Sequence, residues 1–145
     1  YARGYFELGR VYHLTSQNEK ALSNLKKAVE LDLDYLDAHW EMAEIHFAEN
    51  SLENALVRYQ RILELEPQHS QAHFRIAEIH DRRGQFSEAI AEYKSSIHAA
   101  TDPNPVRLAL AILFLKHEQW SDARPLLDEE VGFPEENSSE NRLCG

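Results

Sequence analysis

Eight histidines, a surplus of carboxylates and one cysteine are the residues of this sequence that could do chemistry. Metal binding, proton transfer and nucleophilic attack are therefore the first readings to weigh. Zinc needs three or four ligands converging on one point. His39 and His73 are 34 positions apart, as are His46 and His80, which sets each pair on neighbouring helices about 10 Å apart, too far to meet at an ion. His69 and His73 have i,i+4 spacing, but Pro67 puts His69 outside the helix. His46 and His80 share their place with Tyr12 and Phe114 and read as amphipathic packing residues. No metal and no other cofactor is expected. The sequence has no glycine-rich phosphate loop, its Ser and His residues fall on no nucleophile motif, and its carboxylates are scattered, so no enzyme is expected. Cys144 has no second cysteine to pair with.

What the histidines do reveal is a period. Ala38 to His46 aligns with Ala72 to His80 at an offset of 34, with six of nine pairs identical, and such an offset marks a structural repeat. The register continues outward in both directions. Gly9, Ala43, Ala77 and Ala111 are all small, as are Ala21, Ala55, Ala89 and Ala123. Leu8, Met42, Ile76 and Leu110 are all apolar, as are Val11, Ile45, Ile79 and Leu113. The chain is thus one array over 2–137, in units 2–35, 36–69, 70–103 and 104–137, followed by a polar tail at 138–145.

Each unit reads as two helices. Tyr5, Leu8, Val11, Tyr12 and Leu14 recur at three-to-four-residue spacing and predict a helix A over about 2–14. Thr15 to Asn18 interrupts it, and Ala21, Leu22, Leu25, Ala28 and Val29 carry a helix B to about Leu31. The second unit has helix A at about 37–48 and a helix B that Pro67 stops. In the third unit Gly84 supplies the positive φ that closes helix A. The fourth has helix A at about 105–117 and helix B from Ser121 to about Val131, with Pro125 inside it.

This pattern resembles the tetratricopeptide repeat (TPR) family. Leu8, Gly9, Tyr12, Ala21, Leu25 and Ala28 carry the resemblance in the first unit, and Met42, Ala43, Ala55, Tyr59 and Pro67 in the second. Ile76, Ala77, Ala89 and Tyr93 carry it in the third, and Leu110, Ala111, Phe114, Ala123 and Leu127 in the fourth. Glu130 departs from it at a place where a small residue is expected, and Leu33 and Thr101 replace the boundary proline. The resemblance implies an all-α fold, an α-solenoid in which antiparallel helix pairs wind into a right-handed superhelix. It also implies a concave side lined by the A helices, where such proteins bind partners.

Counting along the A helices to positions left over from packing gives the candidate partner groove. Phe6, Trp40, Phe74 and Leu108 share one register, and Arg10, Glu44, Glu78 and Ile112 share another one turn later. An aromatic strip beside two central carboxylates suits an apolar peptide or amphipathic helix that carries Lys or Arg. The alternative is that these rings are partly buried between adjacent A helices. Family members that clamp the carboxyl-terminal peptides of heat-shock chaperones use Lys, Asn and Arg, where this chain has Phe6, Arg10, Glu44, Phe74 and Glu78. Members with an asparagine ladder differ too, since Glu7, Glu41 and Arg75 stand at those places.

Fifteen basic against 25 acidic residues give a net charge of −10, which disfavours nucleic acid and anionic lipid as partners. The surplus is concentrated in the second and fourth units. No apolar run reaches membrane-spanning length, so no membrane insertion is expected and a soluble protein is, with the cytoplasm the first choice of compartment. The opening Tyr1, in register with Tyr35, suggests a piece of a longer chain. Helix A of the fourth unit is apolar nearly all round, through Leu108, Ile112 and Leu115, so a homo-oligomer through this repeat is a further expectation. The expected function is a protein-interaction scaffold holding a peptide or amphipathic helix in its groove. The alternatives are a regulatory or targeting segment of a larger enzyme, and a self-assembly module.

Overall fold

The computed structural model describes the backbone of residues 1–131 and the side chains of 1–128. Eight helices follow one another there: α1 (Ala2–Leu14), α2 (Asn18–Leu31), α3 (Leu36–Ala48), α4 (Leu52–Leu65), α5 (Ser70–Arg82), α6 (Phe86–Ala99), α7 (Asn104–Lys116) and α8 (Trp120–Val131). Odd-numbered helices are the A helices of the units and even-numbered ones the B helices. Their ends fall within a residue of those predicted from the repeat. The polar tail at 138–145, the end of the fourth unit and Cys144 lie outside the described residues.

The four hairpins turn in the same way because each closes helix A with the same hydrogen bonds. Ser16, Asn50, Gly84 and Glu118, again 34 apart, have φ of 60°, 58°, 71° and 59°. The next amide in each unit reaches back to close the last turn: Gln17 to the Tyr12 carbonyl at 2.8 Å, Ser51 to His46 at 2.8 Å, Gln85 to His80 at 2.9 Å and Gln119 to Phe114 at 2.9 Å. This is the Schellman pattern, which satisfies carbonyls that a helix end leaves without partners. Glycine fills the left-handed position in the third unit alone, so the other three turns hold a side chain there at some cost.

Packing explains the period. Gly9, Ala43, Ala77 and Ala111 are buried on the A helices, and Ala21, Ala55, Ala89 and Ala123 on the B helices. At Gly9 an added Cβ would come within 2.8 Å of Leu25 Cγ, which shows how closely α1 and α2 approach. Each B helix also receives the A helix of the next unit. Met42 and Ile45 of α3 pack with Leu25 and Ala28 of α2, and Ile76 and Ile79 of α5 with Tyr59 and Ile62 of α4. Leu110 and Leu113 of α7 pack with Tyr93 of α6. The same registers in α1 have no preceding helix among the described residues, and Leu8 and Val11 are accordingly exposed. The result is an α-solenoid in which units touch their neighbours in order.

Candidate partner-binding groove

The A helices bring the sequence-selected residues to one face, in different degrees of exposure. Phe6 is buried, its ring 5.0 Å from that of Tyr35. Trp40 is half-buried, edge-on to Tyr59 at 5.5 Å and 5.4 Å from His69. Phe74 meets Tyr93 edge-on at 5.6 Å in the equivalent arrangement one unit later. Leu108 and Ile112 remain 41% and 47% exposed. Trp40 and Phe74 are therefore braced from behind by the B-helix tyrosines Tyr59 and Tyr93 and keep part of their surface open, whereas Phe6 is buried against Tyr35 of the connection between α2 and α3.

Arg75 occupies the centre. It donates to Glu44 from Nε at 2.9 Å and from Nη2 at 3.1 Å, and to Glu78 from Nη1 at 2.8 Å. The Tyr59 hydroxyl donates to the same Glu44 carboxylate. Burial works against the Arg75 charge, yet the hydrogen bonds it donates to Glu44 and Glu78 raise its guanidinium above the ordinary arginine value. Burial, and then the bond to Glu44, push the Tyr59 hydroxyl well above the ordinary tyrosine value. The guanidinium also lies 4.8 Å over Phe47, whose ring meets Arg82 at 4.2 Å as well. The two central carboxylates expected to greet a basic partner are thus already engaged by a cation of the chain itself. Arg10, by contrast, pairs with Glu7 at 3.4 Å in solvent and lies 5.7 Å over Phe6.

Two clefts flank this filled centre. One, of about 470 Å³ between α1 and α3, is lined by Phe6, Trp40, Arg3, Arg10, Asp37 and Glu41. The other, of about 580 Å³ where α5 faces α7, is lined by Phe74, Gln71, Val106, His69, Glu66 and Asp102. Sequence reasoning missed Arg75 as the keystone, although its spacing of three from Glu78 was a visible sign. It also missed Glu66 and Asp102, which reach the second cleft from the connections between units.

The histidines are structural in detail. His69 is the N-cap of α5, its Nδ1 accepting from the Ala72 amide at 3.0 Å. His39 is buried, accepts at Nδ1 from Arg58 at 3.3 Å and donates from Nε2 to the Leu33 carbonyl at 2.9 Å. That arrangement fits a neutral ring, and burial lowers its pKa below the ordinary histidine value. His73, in the same register, faces two acceptors instead: Glu92 at 2.7 Å from Nδ1 and the Pro67 carbonyl at 2.9 Å from Nε2. Among the described residues no group of three His, Cys, Asp or Glu could hold a metal ion, and no helix is long and apolar enough to cross a membrane.

A family model described as "Tetratricopeptide repeat" matches residues 46–105, and one described as "TPR repeat" matches residues 9–49. No curated protein matches the sequence. Among solved structures, one of MamA labelled AMB-1 aligns with a TM-score of 0.78 at 19% identity, covering 100% of this chain and 79% of its own. Another MamA structure aligns with a TM-score of 0.83 at 17% identity, covering 99% and 81%. MamA from Desulfovibrio magneticus RS-1 aligns with a TM-score of 0.81 at 11% identity, covering 91% and 75%. At these identities the likeness is one of fold.

Proposed function

The chain belongs to the tetratricopeptide repeat family, and from that premise we propose that it is a non-enzymatic interaction scaffold whose A-helix groove holds an extended peptide segment of a partner protein. The observation that carries this reading is the pair of clefts, each floored by a braced aromatic ring, on either side of the Glu44–Arg75–Glu78 bridge. Neighbouring A helices lie about 10 Å apart, so the clefts are separated by about 20 Å. An extended chain covers that in about six residues. The ligand then has two apolar side chains about six residues apart, one against Phe6 and Trp40 and the other against Phe74. Its basic residue belongs at the second cleft, where the exposed carboxylates of Glu66 and Asp102 are free of ion pairs among the described residues, rather than at the engaged Glu44 and Glu78.

The test is peptide selection from a random library against the full chain, followed by titration of the selected peptide into variants. Trp40→Ala and Phe74→Ala should each weaken binding at least about tenfold while helicity is kept. Unchanged affinity in both would count against the groove.

A second reading rests on a separate observation, the exposure of Leu108 and Ile112 on α7. It is self-association through the fourth repeat. Light scattering over a concentration series tests it, since Ile112→Lys should return any dimer to monomer.

A further inference from the structure

On the opposite side of the array from the A-helix groove, α2 and α4 leave a second groove of about 420 Å³. Its apolar part is made by Val29, Leu33 and Val57, of which Leu33 is 70% and Val57 60% exposed. Its polar part is Lys26, Arg58, Arg61 and Glu30. Two of these cations, Arg58 and Lys26, differ from Arg61 in their partners. Arg61 is neutralised by Asp34 at 2.6 Å and Glu64 at 2.7 Å, as Arg75 is by Glu44 and Glu78. Arg58 is half-buried, yet its hydrogen-bond partner is the neutral His39 ring, and no described carboxylate lies within ion-pair distance of it. Lys26 across the groove likewise has no carboxylate within that distance among the described residues.

A half-buried guanidinium without a counter-ion bears a desolvation cost that a carboxylate placed beside it would relieve. Burial lowers the Arg58 pKa, as that cost requires. In a protein of net charge −10 such a place is not general surface electrostatics. We propose that the groove between α2 and α4 docks an acidic, aliphatic segment of a partner protein, one carboxylate lying between Arg58 and Lys26 and aliphatic side chains covering Val57 and Leu33. The surface is distinct from the A-helix groove, so one chain engages two partner segments of opposite charge on its two sides.

The probe is the fluorescein-labelled peptide Glu-Leu-Glu-Glu-Leu-Leu-Glu-Leu, read by fluorescence anisotropy against the chain, with the same peptide carrying Gln for every Glu as comparison. The acidic peptide should bind, more weakly as salt is raised, and the uncharged one should not. Arg58→Gln and Lys26→Gln should each weaken binding about tenfold. Lys26 is exposed, so its variant keeps the test sound even if Arg58→Gln disturbs the His39 site. Trp40→Ala should leave this affinity unchanged. The proposal is overturned if neither peptide binds, if both bind equally, if Lys26→Gln is without effect, or if phosphatidylserine vesicles are held where the acidic peptide is not.

Discussion

Arg75 of α5 grips Glu44 of α3 through two nitrogens, at 2.9 and 3.1 Å, and so ties the A helices of consecutive repeats together at the floor of the groove. The third guanidinium nitrogen holds Glu78 on its own helix. Both carboxylates and the arginine keep only 25–29% of their side-chain surface exposed, so this bridge is neither an ordinary surface pair nor a fully buried one.

Replacing Arg75 with Leu leaves two half-buried carboxylates and the Tyr59 hydroxyl with one another. A fully buried charge pair broken this way costs about 3–5 kcal/mol, and partial solvent access reduces that here to about 2 kcal/mol. Urea unfolding followed by circular dichroism checks the figure. An unchanged midpoint would show that water satisfies Glu44 and Glu78 as well as Arg75 does.

The repeated left-handed turn predicts gains as well as losses. Glu118 holds φ of 59° where the equivalent residue of the third unit is Gly84. Glu118→Gly should stabilise the fourth hairpin by about 0.5–1 kcal/mol, because the left-handed conformation strains a residue with a Cβ. Gly84→Ala should lose about 1 kcal/mol by the same reasoning, although nothing lies within 4 Å of the added Cβ. Both are read from thermal unfolding.

Gly9 stands where the other units have alanine, and the cause lies opposite it. An alanine Cβ there would meet Leu25 Cγ at 2.8 Å and Cδ2 at 2.9 Å. Gly9→Ala gains helix propensity but overpacks the contact, for a net loss of about 1 kcal/mol. Combined with Leu25→Ala, the Gly9→Ala change should become neutral or favourable, and the coupling is measured by a double-mutant cycle.

Two pH limits follow from burial. His39 and His46 both have pKa values lowered by burial, so their neutral forms are the ones the fold favours. An unfolded histidine takes up its proton first, and stability is therefore lost as pH falls below about 6.5 toward the folded values. Tyr59 and Tyr93 are raised, mainly by burial, so their contribution is present below pH 10 and lost as pH rises beyond it. Denaturation midpoints between pH 5 and 8 should rise with pH, and His39→Gln should flatten part of that slope.

The sequence period made most of the fold legible, because the small residues at Gly9, Ala43, Ala77 and Ala111 exist to let helices touch and so recur wherever helices touch. The same period puts Phe6, Trp40 and Phe74 in one register of the A helices. It failed where contacts depend on how far one unit is rotated against the next. Arg75 reaches Glu44 across 31 residues, an offset that belongs to the superhelix and to no single helix. Likewise His39 and His73 share a register, but Arg58 stands beside one and Glu92 beside the other, so the equivalent rings act as an acceptor and a donor. His69 reads as a loop residue after Pro67, and its role as the cap of α5 appears only from the bond to Ala72.

The account rests on the A-helix groove as the partner site, and amide chemical-shift mapping tests it most directly. The isotope-labelled chain is titrated with a peptide selected from a random library. Shifts should concentrate on α1, α3 and α5, strongest near Phe6, Trp40 and Phe74, with the Trp40 indole resonance moving early. Shifts confined to the even-numbered helices, or a Trp40 indole that stays still at saturation, would contradict it.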